Sequence, residues 1–216
     1  MNARRTVTVL LGALFVAAPV ATGSEITVEW RGDFGIPDIV DPPGVFIDIA
    51  VTPDPGGMNV IEDLDLGLVI STTWQGDLII ALEHVESGRF HRHLDRVGSL
   101  TPDGYGFSAD NFGNQATGER FVLDDEAPNP YDVPYVEGHG IPDVTGSWQP
   151  DTDPLSAFDG DTIAGTWRLW FADQGGGDLA FVKNIDLYFT TTIPAPGASA
   201  PFIFWMVCRR HRRRLE

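Results

Sequence analysis

Four apolar side chains spaced by two, Leu64, Leu66, Leu68 and Ile70, constrain this chain more than any other feature. A period of two puts all four on one face of an extended strand, which a helix with 3.6 residues per turn cannot do. A second apolar run, Leu78-Ile79-Ile80-Ala81-Leu82, follows soon after. Five residues are too few for an ordinary helix, and the paired isoleucines favour a strand buried on both faces. Trp167, Leu169 and Phe171 alternate in the same manner, and Ile26, Val28 and Trp30 predict a half-buried leading strand at the edge of a sheet. Further strands are expected over residues 45–51, 89–94 and 179–190. The segments between them are crowded with turn formers, and 24 Gly and 16 Pro accompany a 43% hydrophobic composition that is too apolar for disorder. One all-β domain follows, a sandwich of about eight strands.

The formal charge of −17 understates the acidity of the folded part. Seven of the 14 basic residues lie at the two ends, so residues 24–193 hold seven Lys and Arg against thirty Asp and Glu, a net −23. Such a surface repels phosphate backbones and excludes nucleic acid as a partner. It suits a protein that meets calcium or salt outside the cell, although acidity also serves plain solubility. Cys208, in the tail, is the one cysteine, so no disulfide can staple the core and that task falls to packing or to metal ions.

Residues 1–23 read as a secretory signal: Arg4-Arg5, an apolar stretch from Val7 to Ala18, then small residues ending Ala21-Thr22-Gly23. The domain is expected over 24–192, and a tail over 193–216. Membrane contact is expected through the signal or the tail alone, because each apolar stretch falls short of the ~20 residues that span a bilayer.

Hard oxygen ligands are the most frequent chemistry in the loops. Asp77 stands at the mouth of the strand 78–82, where its charge needs a partner, backbone donors or a metal. Asp110, Asn111, Asp124 and Asp125 lie in a long loop region, with a spacing unlike an EF-hand, so a calcium site must be assembled from separate loops. Either these groups share a cation, or they nucleate Asx-turns and cap their own loops. Asp77, Asp110, Asp124, Asp125 and Asp173 are the expected metal ligands, with Ca2+ as the cofactor. His91 and His93 share a strand face at a spacing that holds a transition metal if a third ligand arrives, but with no Cys or Glu beside them they are expected as two exposed strand histidines.

The ordered motifs Ile36-Pro37-Asp38, Thr73-Trp74-Gln75-Gly76-Asp77-Leu78-Ile79-Ile80-Ala81-Leu82, Asp110-Asn111-Phe112, Phe121-Val122-Leu123-Asp124-Asp125-Glu126-Ala127, Pro154-Leu155-Ser156-Ala157-Phe158-Asp159-Gly160, Ala164-Gly165-Thr166-Trp167-Arg168-Leu169 and Ile185-Asp186-Leu187-Tyr188-Phe189 resemble the P/Homo B domain of proprotein convertases and bacterial secreted proteases. The resemblance runs over residues 36–190. It implies a jelly-roll β-sandwich that in bacterial relatives can carry calcium. The tail, with Ile193-Pro194-Ala195-Pro196, a short apolar segment and a terminal Arg cluster, resembles a degenerate PEP-CTERM sorting signal, which implies export to the surface of a Gram-negative-type bacterium.

Nothing in the chain resembles the catalytic domain that precedes such modules. His84, Asp95 and Ser99 can be drawn as a triad, but a triad is a matter of geometry and not of short spacing. The expected function is a secreted or surface-attached, non-catalytic module for binding or structural roles, whose partner is a surface protein, a polysaccharide or a separate peptidase. The alternative is an accessory domain that stabilises or targets a separate subtilisin-like serine endopeptidase.

Overall fold

Alternation in the sequence becomes two packed sheets in the computed structural model, which describes residues 23–52, 60–98, 111–131, 143–177 and 179–192. The chain runs through β1 (Gly23–Ile36), β2 (Val45–Val51), β3 (Val60–Ser71), β4 (Leu78–His84), β5 (Arg89–Asp95), β6 (Asn111–Phe112), β7 (Phe121–Leu123), β8 (Asp143–Val144), β9 (Gly146–Trp148), β10 (Gly165–Asp173) and β11 (Ala180–Thr192). Two 3-10 turns, Gln75–Asp77 and Leu155–Phe158, complete the described structure.

One sheet has the order β1-β11-β3, after which β3 pairs with β6 at one end and with β7 further along; β8 and β9 then run parallel to β6 and β7. The other sheet has the order β2-β10-β4-β5. If the four short strands are counted as a single sixth position, the orders become 1-8-3-6 and 2-7-4-5, the two interleaved Greek keys of a jelly roll. The sheet positions therefore number eight, as expected, although the sixth is broken into pieces. One cause is Gly113, whose backbone is left-handed (φ 70°) and lies so close to β3 that a Cβ there would meet the Leu68 carbonyl at 2.6 Å.

The core fills the space between the inner faces. Leu64, Leu66, Leu68 and Ile70 from β3 meet Trp167, Leu169 and Phe171 from β10, all at most 1% exposed. On β4 every residue from Leu78 to Leu82 is buried, as expected of a strand interior to its sheet. Burying each such aliphatic side chain stabilises the fold by roughly 1.5–3 kcal/mol. A register shift on β11 between Val182 and Asn184 lets Val182 and Ile185 both point inward, against the simple period of two. β1 is the sheet's edge, and its first residue, Gly23, pairs with the last residue of β11, Thr192.

Candidate metal centre

The outward positions of β3 alternate with its buried leucines, and near the start of the strand two of them are Asp63 and Asp65. β7 runs antiparallel beside β3 in the register Leu66↔Leu123, so the turn that follows β7 comes back alongside these two aspartates. Asp63, Asp65 and Glu126 each present one carboxylate oxygen, and the three oxygens lie within 4.8 Å of one another. Among the described residues no Lys, Arg or His pairs with any of the three.

This crowding is visible in the acidities. Burial, followed by the charges of Asp63, Asp124, Glu126 and Asp125, pushes the Asp65 carboxyl up to about 7. Asp63 is raised, first by burial and then by Asp124, Asp125 and Glu62. Glu126 is raised as well, by burial and then chiefly by Asp63. Asp159, just past the Leu155–Phe158 turn, joins the group and is raised to about 6 by burial and by Asp63, Asp125 and Glu126. Asp65 Oδ1 is buried without a hydrogen-bond partner. A set made entirely of hard carboxylate oxygens suits calcium or magnesium and not the transition metals that prefer nitrogen and sulfur.

Asp124 and Asp125 stand beside this centre with local bonds of their own. Asp124 Oδ1 accepts from the Glu126 backbone N–H at 2.8 Å, an Asx-turn. Both Asp125 oxygens accept backbone N–H groups, from Leu155 at 2.9 Å and Ser156 at 2.8 Å, and so cap the 3-10 turn. Of the two alternatives open in the sequence, turn and cap bonding is present for both residues, while their charges still press on Asp63 and Asp65. Asp110 lies outside the described residues.

Asp77 and Asp173 are at the other end of the sandwich. The six steps along β3 from Asp65 to Ser71 already span about 20 Å. Asp77 closes the Gln75–Asp77 turn at the lip of β4; its carboxylate faces the Arg96 guanidinium at 3.8 Å, and its carbonyl accepts from Gln174 N–H at 2.9 Å. Asp173 is fully buried at the end of β10, where Oδ1 accepts from Gly175 N–H at 3.0 Å. Gly175 lies flat against Asp77, so that a Cβ there would overlap the carboxylate. The structure therefore groups Asp124 and Asp125 with Asp63, Asp65 and Glu126, and it does not bring Asp77 and Asp173 to them.

The histidines depart from their expected exposure. His93 is fully buried, because the Asp151–Phe158 segment folds over β5: Asp151 N–H donates to the His93 carbonyl at 2.9 Å, and His93 Nδ1 donates to the Asp153 carbonyl at 2.8 Å. Burial lowers its pKa to about 4, so the ring is neutral. His91 is half-buried, edge-on to Phe158 with ring centres 5.2 Å apart. His84 stacks on Trp167 at 4.6 Å; Ser87 Oγ and Asp161 Oδ2 both face its Nδ1, at 3.1 and 3.7 Å, while Nε2 faces the Ala164 carbonyl at 3.1 Å. Glu86 Oε2 stands 3.8 Å from Nε2, so the buried ring has an acid on each side and links β4 to the Asp161–Ala164 segment. Asp95 pairs with Ile79 and His84 with Arg89, which puts the two at opposite ends of the β4–β5 hairpin, about 16 Å apart. Ser99 lies outside the described residues.

No protein-family model matches the chain, and no curated protein matches it. Among solved structures it is similar to the serine protease of Aeromonas sobria, with a TM-score of 0.44 and 11% identity, over 81% of this chain and 28% of that one. It is also similar to a chain of the Aeromonas sobria serine protease and chaperone complex, with a TM-score of 0.42 and 14% identity, over 82% of this chain and 28% of that one. The chain thus spans little more than a quarter of the length of either.

Proposed function

We propose that the chain is an exported, non-catalytic β-sandwich module that binds calcium at Asp63, Asp65 and Glu126, for a binding or structural role at the cell surface. The observation that carries this reading is the convergence of three carboxylate oxygens within 4.8 Å, with no cationic partner among the described residues. Left alone, these groups relieve their repulsion by taking up protons; a divalent cation relieves it without protonation and ties β3 to the turn after β7. Export is supported by residues 1–23, and the lack of any cysteine before Cys208 leaves a cation as the available cross-link in the domain.

Calorimetric titration of the full chain with calcium at pH 8 is the test. Saturable binding is expected, and Asp65→Asn is expected to abolish it. Absence of both binding heat and any shift in melting temperature would remove the metal from the account. The second reading, an accessory to a separate subtilisin-like peptidase, is supported by the ordered motifs over residues 36–190 and is tested by co-purification with such an enzyme from the source cells.

A further inference from the structure

The end of the sandwich opposite the metal centre carries an open cleft of about 600 Å³, lined by Trp74, Asp77, Arg96, Gln174 and the glycines that follow. That volume is in the range of sites for small organic ligands. Two observations mark it out. Among the described residues, the non-glycine positions with left-handed backbone are Ile39 (φ 52°) and Arg96 (φ 56°), and both stand at this cleft. Arg96 lines it directly, and Ile39, 76% exposed, lies against Gly176 at its rim. A β-branched residue in that conformation is an outlier, and strain of this kind persists only where surrounding bonds over-determine it, characteristically at ligand sites.

Those bonds are present. Ile39 N–H donates to the Gly175 carbonyl at 3.2 Å, and Val40 N–H to the Asp173 carbonyl at 2.8 Å. Gln174 Nε2 donates to the Val40 carbonyl at 2.7 Å, and Gly177 N–H to Asp38 Oδ2 at 3.0 Å. The walls are thus built before any ligand arrives, and Arg96 Nε is itself oriented by the Gly76 carbonyl at 3.3 Å.

We propose that this cleft binds one unit of a neutral saccharide. A sugar hydroxyl both donates and accepts, and Asp77 and Arg96 supply an acceptor and a donor fork side by side. The Asp77 oxygen and the Arg96 nitrogen stand 3.8 Å apart, a spacing that adjacent hydroxyls of one sugar ring can contact together. Trp74, half-buried, offers an aromatic wall for the C–H face of a pyranose. Charged ligands fit poorly: Arg96 opposes a cation, and Asp77 together with the acidity of the whole domain opposes an anion. An extended peptide is disfavoured because β4 and β10, which end here, are interior strands of their sheet and expose no free ladder.

The test is a panel of glucose-, galactose-, mannose- and N-acetylglucosamine-terminated oligosaccharides, read against the full chain by saturation-transfer NMR and calorimetry. Binding of at least one neutral sugar is expected, weakened at least tenfold in Trp74→Ala and in Asp77→Asn and retained in Trp74→Phe. Wild-type far-UV circular dichroism and a cooperative thermal melt show that the variants fold, a control that holds whatever the fate of the metal centre. The proposal is overturned if no saccharide of the panel binds, if binding survives both Trp74→Ala and Asp77→Asn, or if a peptide or an anionic ligand competes the sugar away.

Discussion

The two ends of the sandwich treat their carboxylates in opposite ways. At the cleft end Asp38, Asp77 and Asp173 each face a donor: the Gly177 N–H, the Arg96 guanidinium and the Gly175 N–H. At the acid end Asp63, Asp65 and Glu126 face one another, and Asp124 and Asp159 add charge without adding a donor. Acidity alone therefore says little about metal binding; what matters is whether the surrounding atoms have already answered the charge. At the cleft end each carboxylate meets at least one protein donor, although Asp38 Oδ1 is buried without a partner; at the acid end the repulsion is relieved by a proton or a cation.

The difference can be broken in four ways. The largest effect is expected from calcium itself: a hundredfold excess over its dissociation constant adds about 2.7 kcal/mol, which raises the melting temperature at pH 8 by about 5–10 °C. Asp65→Asn should cancel that rise and Asp77→Asn should leave it intact; equal loss in both variants would mean that the two ends are not separate. Next comes Gly175→Ala, which forces the Asp77 carboxylate aside and is expected to cost roughly 2 kcal/mol in denaturant unfolding, as overpacking does.

Third is pH. The folded-state pKa values of Asp65, about 7, and Asp159, about 6, lie above the 3.8 of a free aspartate. At these two groups the folded state holds protons that the unfolded chain releases, and their share of the stability falls as pH rises from about 4 to about 7. That share favours pH 5 over pH 8 by about 1–2 kcal/mol after allowing for solvent screening, while buried His93, with its pKa lowered to about 4, opposes it over the same window; the carboxylate share is therefore read in EDTA as the difference between the wild type and Asp65→Asn, and saturating calcium should flatten that difference. The smallest effect is a difference of sign. Without calcium, Asp65→Asn should stabilise the protein by about 1 kcal/mol, and Asp77→Asn should destabilise it by about 0.5 kcal/mol, since it weakens a long ion pair to the partly exposed Arg96 side chain. Chemical denaturation reads both, and a shared sign would erase the contrast.

The sheets were legible because their information is local. Leu64 to Ile70, the run 78–82, and Trp167 to Phe171 each declare a buried face within a few residues, and each is buried in the structure. Asp63 and Asp65 are not legible as ligands because alternation assigns them to the outer face without saying what lies across from them. Their neighbours arrive about sixty residues later in the chain, through the pairing of β3 with β7. The usable signal was two acids at i and i+2 on one strand face, with Asp124-Asp125-Glu126 following another strand. The burial of His93 is hidden from the sequence for the same reason, since its cover comes from the Asp151–Phe158 segment. The left-handed backbone at Ile39 and Arg96 has no sequence signature at all, because neither residue type favours it.

The pairing of Gly23 with Thr192 has a mechanical consequence. The chain comes into the sandwich and leaves it on neighbouring strands, about 5 Å apart, at the end where Thr190 adjoins Asp63. Tension applied through both flanking segments would peel β1 from β11 one rung at a time, a weaker mode than shearing the whole ladder at once. The same geometry makes the domain an insertable cassette: spliced into a surface loop of a host protein, it would stand on its acid end and hold the saccharide cleft at the far tip.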